Sequence, residues 1–595
     1  MADEGGLQGM VEARDAATRR VVESDHRLRV IVAGPGTGKS YAFKLALLRK
    51  GGAGLALTFI KSLAGELALD LGESAATYTF HSYSKHLLHQ FGPAGLTRDF
   101  TLYPPLFALM TIDLGLLGSG QPTTGLTERQ LDDLKSSVER TFQDLDPTSA
   151  VPSTVLALGT YYDAASFVDL VYRVFRHLEA NPDDTPAYPL VVVDEYQDFS
   201  RLETAFIAQL GLKSPLLIAG DDDQALYGFR HASAEHIRNL AVLKEVERHV
   251  LPFCSRCTQA VVAAVNTTIA HAVASGRLQG RLEKPFECYL PDKAVDSKQY
   301  PKLIDARCTI HRYMAEYVAN EIGKISQADI DVSIKGRYPT VLVVGPGQFV
   351  KPIYQHLSQG DYPEAELRAS ERLAVAPFDG YRLLGADPMS NLGWRILIHL
   401  YPFAGWQKVV LEALQRGESL ASLLPAAWKS DRLVTADLLR RARRGEALDP
   451  SEFGDLAAEL KLDKEDLDEL LTRDATVEKK EGDPEALPSE LQEPTDAPAR
   501  PAILCTTLKG AKGLSAQHVF IVGLMNGHLP RETDPTDEEV CEFLVALSRT
   551  RKACHLVSTK IFAGPPALRP SMFLSWVKSQ CSDVTVDKAY WAQRR

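Results

Sequence analysis

Val30-Ile31-Val32-Ala33-Gly34-Pro35-Gly36-Thr37-Gly38-Lys39-Ser40 runs from an apolar stretch through a glycine loop into a helix start. Such a loop lets successive backbone N–H groups turn onto phosphate oxygens, and the helix N-terminus beyond adds its dipole. Lys39 is then placed for the β- and γ-phosphates and the Ser40 hydroxyl for Mg²⁺, so Gly34, Pro35, Gly36, Thr37, Gly38, Lys39, Ser40 and the flanking Tyr41 form a candidate ATP-binding loop. Ala33 stands where the general pattern has its first glycine. A second apolar run, Leu190-Val191-Val192-Val193, ends in Asp194-Glu195-Tyr196-Gln197-Asp198. Adjacent acids after a strand are often only a solvated loop. With a phosphate loop upstream, Asp194 reads as the Mg²⁺ holder and Glu195 as the group that polarises the attacking water. The stretch between Lys39 and Asp194 exceeds what a small kinase or GTPase core contains, which implies an inserted domain.

These residues need rigid elements to bring them together. Short apolar runs at Leu28–Val32, Leu55–Phe59, Leu190–Val193 and Pro215–Ala219, then at Thr340–Gly345, Ala502–Cys505 and Val519–Gly523, do not alternate with polar residues. That pattern suits strands buried on both faces of a parallel sheet. Helical patterns such as Tyr41–Arg49 and Arg201–Leu210 lie between them, and the runs fall in two groups. The expected class is therefore α/β with two cores. Two stretches, from about Gly92 to Pro189 and from about Leu400 to Asp474, read as helical insertions; Ser166–Leu178 carries apolar residues at helical spacing. Thr476–Pro498, with seven acids, two lysines and four prolines, reads as a flexible linker.

Across 595 residues the charged set is 24% and the apolar set 45%, with a net charge of −11. That balance excludes a basic coat over the whole surface but leaves room for a local basic groove. No apolar run approaches the ~18 residues of a membrane helix. Met1-Ala2-Asp3-Glu4 carries no secretion pattern, and eight scattered cysteines read as reduced thiols. The expected location is the cytoplasm.

Gly220-Asp221-Asp222-Asp223-Gln224-Ala225-Leu226-Tyr227-Gly228-Phe229-Arg230 resembles motif III of the UvrD/Rep/PcrA family, superfamily 1A DNA helicases. Other motifs follow in that family's order. Thr58-Phe59 is similar to motif Ia and Thr79-Phe80-His81-Ser82 to the next one. Leu251 through Cys257 resembles motif IV, Thr507-Leu508-Lys509-Gly510-Ala511-Lys512-Gly513-Leu514 motif V, and Val545 through Arg551 motif VI. Asn391 through Arg395 and Arg569 through Leu574 are similar to parts of the family's second core.

The resemblance implies two RecA-like P-loop cores, parallel sheets flanked by helices, each with a mainly helical inserted subdomain. The expected division is core 1 at 1–91 and 189–275 with insertion 92–188, and core 2 at 276–399 and 499–595 with insertion and acidic linker 400–498. ATP and Mg²⁺ would bind between the cores, with Lys39, Glu195, Gln224, Arg256 and Arg549 as catalytic residues and Ser40 and Asp194 on the metal. Gln224 would sense the γ-phosphate and the two arginines would act as fingers, because a permanently charged guanidinium stabilises charge on the transferred phosphoryl. Phe59, Thr79, His81, Tyr227, Phe229, Arg230 and Lys509 would line the DNA groove. Aromatic faces stack on any base, and cations add a salt-dependent phosphate contribution. The expected activity is an ATP-dependent 3′–5′ DNA helicase or single-strand translocase acting on single strands and junctions in repair, replication or defence. Two alternatives stay open: a translocase that strips proteins with little unwinding, and a nucleotide-gated DNA-binding or recruiting module.

The departures from the family pattern gather around the unreactive end of ATP. Thr18, Tyr41, Ser255 and Ser515 stand where the family has its adenine-reading glutamine, a basic residue, a stacking tyrosine and a ribose-contacting acid. Catalysis intact but base discrimination loosened, or rebuilt on Tyr41, is the expectation. Lys509 replaces a histidine and places a fixed charge by the strand. Cys254-Ser255-Arg256-Cys257 has C-x-x-C spacing without a second pair, so these thiols read as core residues. Arg440 through Arg444 and Asp463 through Glu469 read as solvated helix faces.

Overall fold

The computed structural model describes residues 4–59, 61–92, 95–119, 127–146, 148–368, 374–468, 470–471, 500–562 and 567–593. Within them the chain forms two compact units: one of Met1–Phe80, Thr185–Glu371 and Thr495–Arg595, the other of His81–Asp184 and Arg372–Pro494. None of the described helices is long and apolar enough to cross a membrane. The Thr476–Pro498 segment lies outside the described residues.

The first unit is built on two parallel sheets, as expected of an α/β chain. The strands of one are β1 (Leu28–Val32), β2 (Gly54–Thr58), β3 (Ala75–Thr79), β4 (Val191–Val193), β5 (Leu216–Gly220) and β6 (Glu247–Val250), in the order β3-β2-β4-β5-β1-β6. The inner strands are mostly buried Val, Ile, Leu and Ala, with Arg29 of β1 buried among them, because helices cover both faces. Register places Val193 beside Leu57 and Ile218, and Ile218 beside Val30. The carboxyl ends of β1, β4 and β5 therefore lie side by side, the usual place for a ligand in an open parallel sheet.

The other sheet holds β7 (Leu303–Cys308), β8 (Val341–Val344), β9 (Glu366–Arg368), β10 (Ile503–Thr506), β11 (Ala516–Val522), β12 (Thr550–Thr559) and β13 (Cys581–Val586), in the order β9-β10-β8-β11-β12-β7-β13. Six of these strands, β3, β6, β7, β9, β12 and β13, carry no unbroken apolar run. β6 is Glu-Arg-His-Val and β13 is Cys-Ser-Asp-Val-Thr-Val, each at a sheet edge with polar residues facing outward. One apolar cluster spans both sheets' helices, from Val261 and Val265 to Leu544 and Phe573.

The second unit is mainly helical. Helix Phe167–Ala180 starts at a capping box in which Ser166 and Asp169 satisfy each other's backbone N–H. Helices Leu106–Ser119 and Val151–Tyr162 share a hydrophobic cluster with Asn391–Leu400 and Trp406–Arg416, through residues such as Met110, Leu158, Trp394 and Val410. Helix Asn391–Leu400, expected in the second core, packs here instead. The reason is visible in its side chains: Leu392, Trp394, Ile396 and Leu397 are all buried in this cluster, and Arg395 is fully buried against Asp113.

Candidate nucleotide site

The loop after β1 takes the shape its glycines permit. Gly36 has φ +67°, and a Cβ there would lie 2.5 Å from the Arg256 Cβ. Only glycine lets the Leu251–Cys257 segment rest directly on the loop, where the Ser255 N–H donates to the Gly36 carbonyl at 3.0 Å. A Cβ on Gly34 would meet the Phe286 ring at 2.6 Å. Lys39 Nζ donates to the Ala33 and Gly34 carbonyls at 3.2 and 3.1 Å, folding its charge over its own loop.

The loop opens on a cavity of about 330 Å³. Lys39, Ser40, Tyr41, Asp194, Glu195, Gln224, Ser255 and Arg256 line it from the first sheet's side; Gly513, Arg549 and Arg551 line it from the second's. Asp194 and Glu195 follow β4 directly, and Glu195 adopts the left-handed conformation at φ 56° that turns the chain sharply after the strand. Burial and the neighbouring Glu195 push the Asp194 carboxyl up to about 7. Burial also works against Glu195, but Lys512 and Lys39 together hold it below its ordinary value. A buried acid and a half-buried one side by side facing open space, with the Ser40 hydroxyl on the same wall, are a hard-oxygen donor set that suits Mg²⁺.

Arg549, at the end of helix Asp537–Ser548, is 3% exposed. Its guanidinium donates to the Val545 and Leu514 carbonyls at 3.0 and 3.1 Å and to Gln224 Oε1 at 2.8 Å. Gln224 Nε2 in turn donates to Asp221 Oδ2 at 2.5 Å. Arg256 differs: its guanidinium has no hydrogen-bond or ion-pair partner among the described residues, and it lines the same cavity. At the outer end, Tyr41 is 56% exposed. Ser515 accepts from Arg551 Nε at 3.0 Å, and the Arg551 guanidinium lies 4.0 Å from the Tyr338 ring centroid.

The expected strand-contacting residues differ in their surroundings. Phe59 is 7% exposed, with Phe199 and Tyr227 at 5.8 and 5.0 Å and the Arg230 guanidinium 4.8 Å from its centroid. It is thus an anchor for Tyr227 and Arg230 rather than a stacking surface, because its neighbours already cover it. The Tyr227 hydroxyl reaches the Lys509 carbonyl at 3.5 Å, so this half of the group gathers both sheets' loops. Lys509 Nζ pairs with Glu538 at 2.7 Å, which offsets the charge expected there. Thr79 closes β3. His81 belongs to the second unit, its ring 4.6 Å from that of Phe167. The Phe229 side chain lies outside the described residues.

Four contributors escaped the sequence reading. Lys512, buried at 2% exposure, reaches Asp198 at 2.5 Å and Glu195 at 3.8 Å; it sits inside a quoted motif, yet nothing local marks which lysine turns inward. Asp70 lines the cavity from helix Lys61–Leu71. Lys284 and Phe286 lie in an irregular stretch without a motif. Among the described residues, one group of acids could gather ligand oxygens, Asp221, Asp222 and Asp223, and Lys284, Arg281 and Arg238 already occupy it. Cys254 and Cys257 are buried, as expected, with the Cys257 N–H donating to Cys254 Sγ at 3.4 Å. Of the arginine cluster, Arg440 pairs with Asp437, and Arg441 with Glu452 and Glu446, on a helix face.

Residues 15–243 match the family described as the UvrD/REP helicase N-terminal domain. Over 626 residues the chain is 23% identical to DNA helicase II of Haemophilus influenzae, covering 93% of this chain and 85% of that protein. It is 24% identical to DNA helicase II of Escherichia coli, over 89% and 81% of the two chains. It is 23% identical to the ATP-dependent DNA helicase PcrA of Leuconostoc citreum, over 88% and 78%.

Proposed function

We propose that this chain is a helicase of the UvrD/REP type, an ATP-dependent DNA helicase that moves along a single strand, 3′ to 5′, by opening and closing the cleft around its nucleotide. One observation carries the reading. A single cavity is walled by Lys39, Ser40, Asp194 and Glu195 on one side and by Arg549 on the other. Hydrolysis that needs both walls is tied to their approach, and that tie is what converts a chemical step into a mechanical one.

In this reading the loop from Gly34 to Ser40 holds the phosphates, and Lys39 leaves its own carbonyls for the β- and γ-oxygens. Ser40 and Asp194 would hold Mg²⁺, which would supply charge neutralisation on the phosphate oxygens. Glu195, kept ionised by Lys512 and Lys39, accepts the proton of the attacking water. Arg256 and Arg549 stabilise the charge that develops on the transferred phosphoryl, and Gln224 links the γ-phosphate position to Arg549. Thr79, His81, Tyr227, Phe229, Arg230 and Lys509 are the residues proposed to contact the strand, and a junction between single and double strands is the expected substrate. The six-segment division into cores and insertions belongs to the same reading, with Asn391–Leu400 moved from the second core to the second insertion, as does a role in repair, replication or defence. Base discrimination is loose, because Tyr41 is largely exposed and Ser515 is engaged with Arg551.

The decisive experiment compares wild type with Lys39→Ala on 3′- and 5′-tailed duplexes with ATP and Mg²⁺. Unwinding of the 3′-tailed substrate by wild type alone is the expected result. Strand-stimulated hydrolysis without unwinding would move the reading to a translocase that strips proteins. No strand-stimulated hydrolysis at all would leave only a nucleotide-gated binding module.

A further inference from the structure

The Lys284 side chain is 3% exposed and contacts three consecutive acids, with Nζ 3.0 Å from Asp221, 2.6 Å from Asp222 and 2.8 Å from Asp223. The three acids do not have equal neighbours. Asp222 is also held by Arg238 at 3.0 Å and by the Leu282 N–H at 2.8 Å. Asp223 is held by Arg281 through Nε at 3.0 Å and Nη2 at 2.7 Å. Asp221 divides its two oxygens: Oδ1 faces Lys284, and Oδ2 accepts from Gln224 Nε2 at 2.5 Å. Gln224 then presents Oε1 to Arg549 Nη2 at 2.8 Å.

The chemistry of this chain of contacts has one permitted polarity. A carboxylate only accepts and a guanidinium only donates, so an amide between them must point its NH₂ at Asp221 and its carbonyl at Arg549. Turned over, the amide would set donor against donor on one side and acceptor against acceptor on the other. The polarity holds only while Asp221 is ionised, and a buried carboxylate stays ionised only beside a fixed cation. Burial alone would push Asp221 up; Lys284 and Lys39 hold it below its ordinary value. The same segment also touches the phosphate loop, since the Phe286 ring fills the space a Gly34 side chain would need.

We infer that Lys284 is a positioning residue for hydrolysis: through Asp221 it fixes the orientation of the Gln224 amide and thereby the seat of Arg549. The inference rests on the reading of this cavity as an ATP hydrolysis site. It makes the stretch after helix Gln259–Ala274 part of the machinery, although that stretch lines no phosphate and carries no motif. The contribution is to orientation at the moment of reaction, not to nucleotide binding, so it acts on kcat more than on KM.

The test is a set of variants of the full chain, assayed for single-strand-stimulated ATP hydrolysis with Mg²⁺ and melted in parallel. Lys284→Met is expected to lower kcat about 10- to 100-fold with KM for ATP changed less than about 3-fold. In an Arg549→Ala background the same substitution is expected to cost less than about 3-fold, because the seat it serves is already empty. Asp221→Asn should reproduce the kcat loss. Asp222→Asn, which removes a charge from the same cluster without touching Gln224, should lower the melting temperature but leave kcat within about 2-fold. Lys284→Arg, which keeps the cation, should recover most of the lost rate. Equal losses from Asp221→Asn and Asp222→Asn, or an undiminished Lys284→Met loss in the Arg549→Ala background, would overturn the inference. If Lys284→Met does not fold, the Asp221→Asn and Asp222→Asn pair decides alone. Wild type with no strand-stimulated hydrolysis would instead refute the hydrolysis reading itself, a different outcome from a wild-type rate that Lys284 does not influence.

Discussion

Two buried ionic sites, one in each unit, show how differently charge is used inside this molecule. In the helical unit Arg395 and Asp113 are both fully buried, with Nη2–Oδ1 at 2.8 Å and Nε–Oδ1 at 3.0 Å, and the Tyr162 hydroxyl donates to Asp113 Oδ2 at 2.7 Å. Every strong interaction there is directed at another side chain of the same packed cluster. At the nucleotide cavity, Lys39 leans on backbone carbonyls, Asp194 is raised to about 7 by burial and its acidic neighbour, and the Arg256 guanidinium has no hydrogen-bond or ion-pair partner among the described residues. A closed pair fixes how helices meet. An incompletely compensated cluster around open space is stabilised further by a ligand that brings the missing charge.

The sharpest break of that comparison is at the cavity. Lys39→Ala and Arg549→Ala are each expected to reduce strand-stimulated ATP hydrolysis by about 10²-fold or more. Lys39→Ala should leave thermal stability almost unchanged, because its ammonium lies at the open cavity and its hydrogen bonds go to its own loop, whereas Arg549→Ala also gives up the buried hydrogen bonds to Val545, Leu514 and Gln224 and should lower the melting temperature. Steady-state hydrolysis and a melt on the same samples check both halves. A large loss of melting temperature in Lys39→Ala would mean that the cavity charges hold the fold, as Arg395 does, and the distinction would collapse.

The complementary expectation sits in the helical unit. Asp113→Ala leaves a buried guanidinium uncompensated and should destabilise that unit by about 3–5 kcal/mol in a denaturant titration. Replacing both partners, Asp113→Leu with Arg395→Met, should recover most of it, since two apolar groups of similar volume need no counter-charge. The rate of ATP hydrolysis in the folded fraction should be unaffected by either. If the double variant is no more stable than Asp113→Ala, the pair contributes more than mutual neutralisation.

Most of the cavity was legible in the residues before any coordinates, and the reason is local. Phosphate binding uses consecutive backbone N–H groups, so Gly34 through Ser40 must be contiguous in sequence, and an acid at a strand end declares itself by the apolar run before it. Lys284 and Lys512 could not be read in this way. Their partners lie 62 residues away at Asp222 and more than 300 away at Asp198, and a lysine in a loop looks the same whether it turns inward or out. Strands such as β6 and β13 were hidden for a related reason: an edge strand carries polar residues on its open side, so no unbroken apolar run marks it. The assignment of Asn391–Leu400 failed because motif similarity reports ancestry of a segment, while its packing is decided by which apolar cluster its buried face meets.

A smaller effect is expected at the outer end of the cavity. With Tyr41 more than half exposed and Ser255 in the place of a stacking ring, wild type should hydrolyse ATP, GTP and CTP with KM values within about 10-fold of one another. If Tyr41 is the rebuilt stacking partner, Tyr41→Ala should raise KM about 5-fold for purine nucleotides, equivalent to ~1 kcal/mol of stacking, with kcat unchanged. A strict preference for ATP that Tyr41→Ala does not alter would place base recognition on other residues.

The smallest effect belongs to Lys509, and it tests whether the strand groove follows the logic of the cavity or of the closed pair. Its ammonium is 2.7 Å from Glu538, and both side chains are about one-third exposed, so part of its charge is already balanced by solvent and by an acid. A lysine bound to DNA phosphate releases a counterion; one that keeps its acid partner releases almost none. Lys509→His should therefore reduce the salt slope of single-strand binding by clearly less than 1, measured by fluorescence anisotropy across a salt series. Glu538→Gln, which frees the ammonium, should steepen the same slope. A full unit of slope lost in Lys509→His would show that the strand displaces Glu538 on binding, and that this ion pair, unlike Arg395–Asp113, is a resting contact which the substrate exchanges for its own charge.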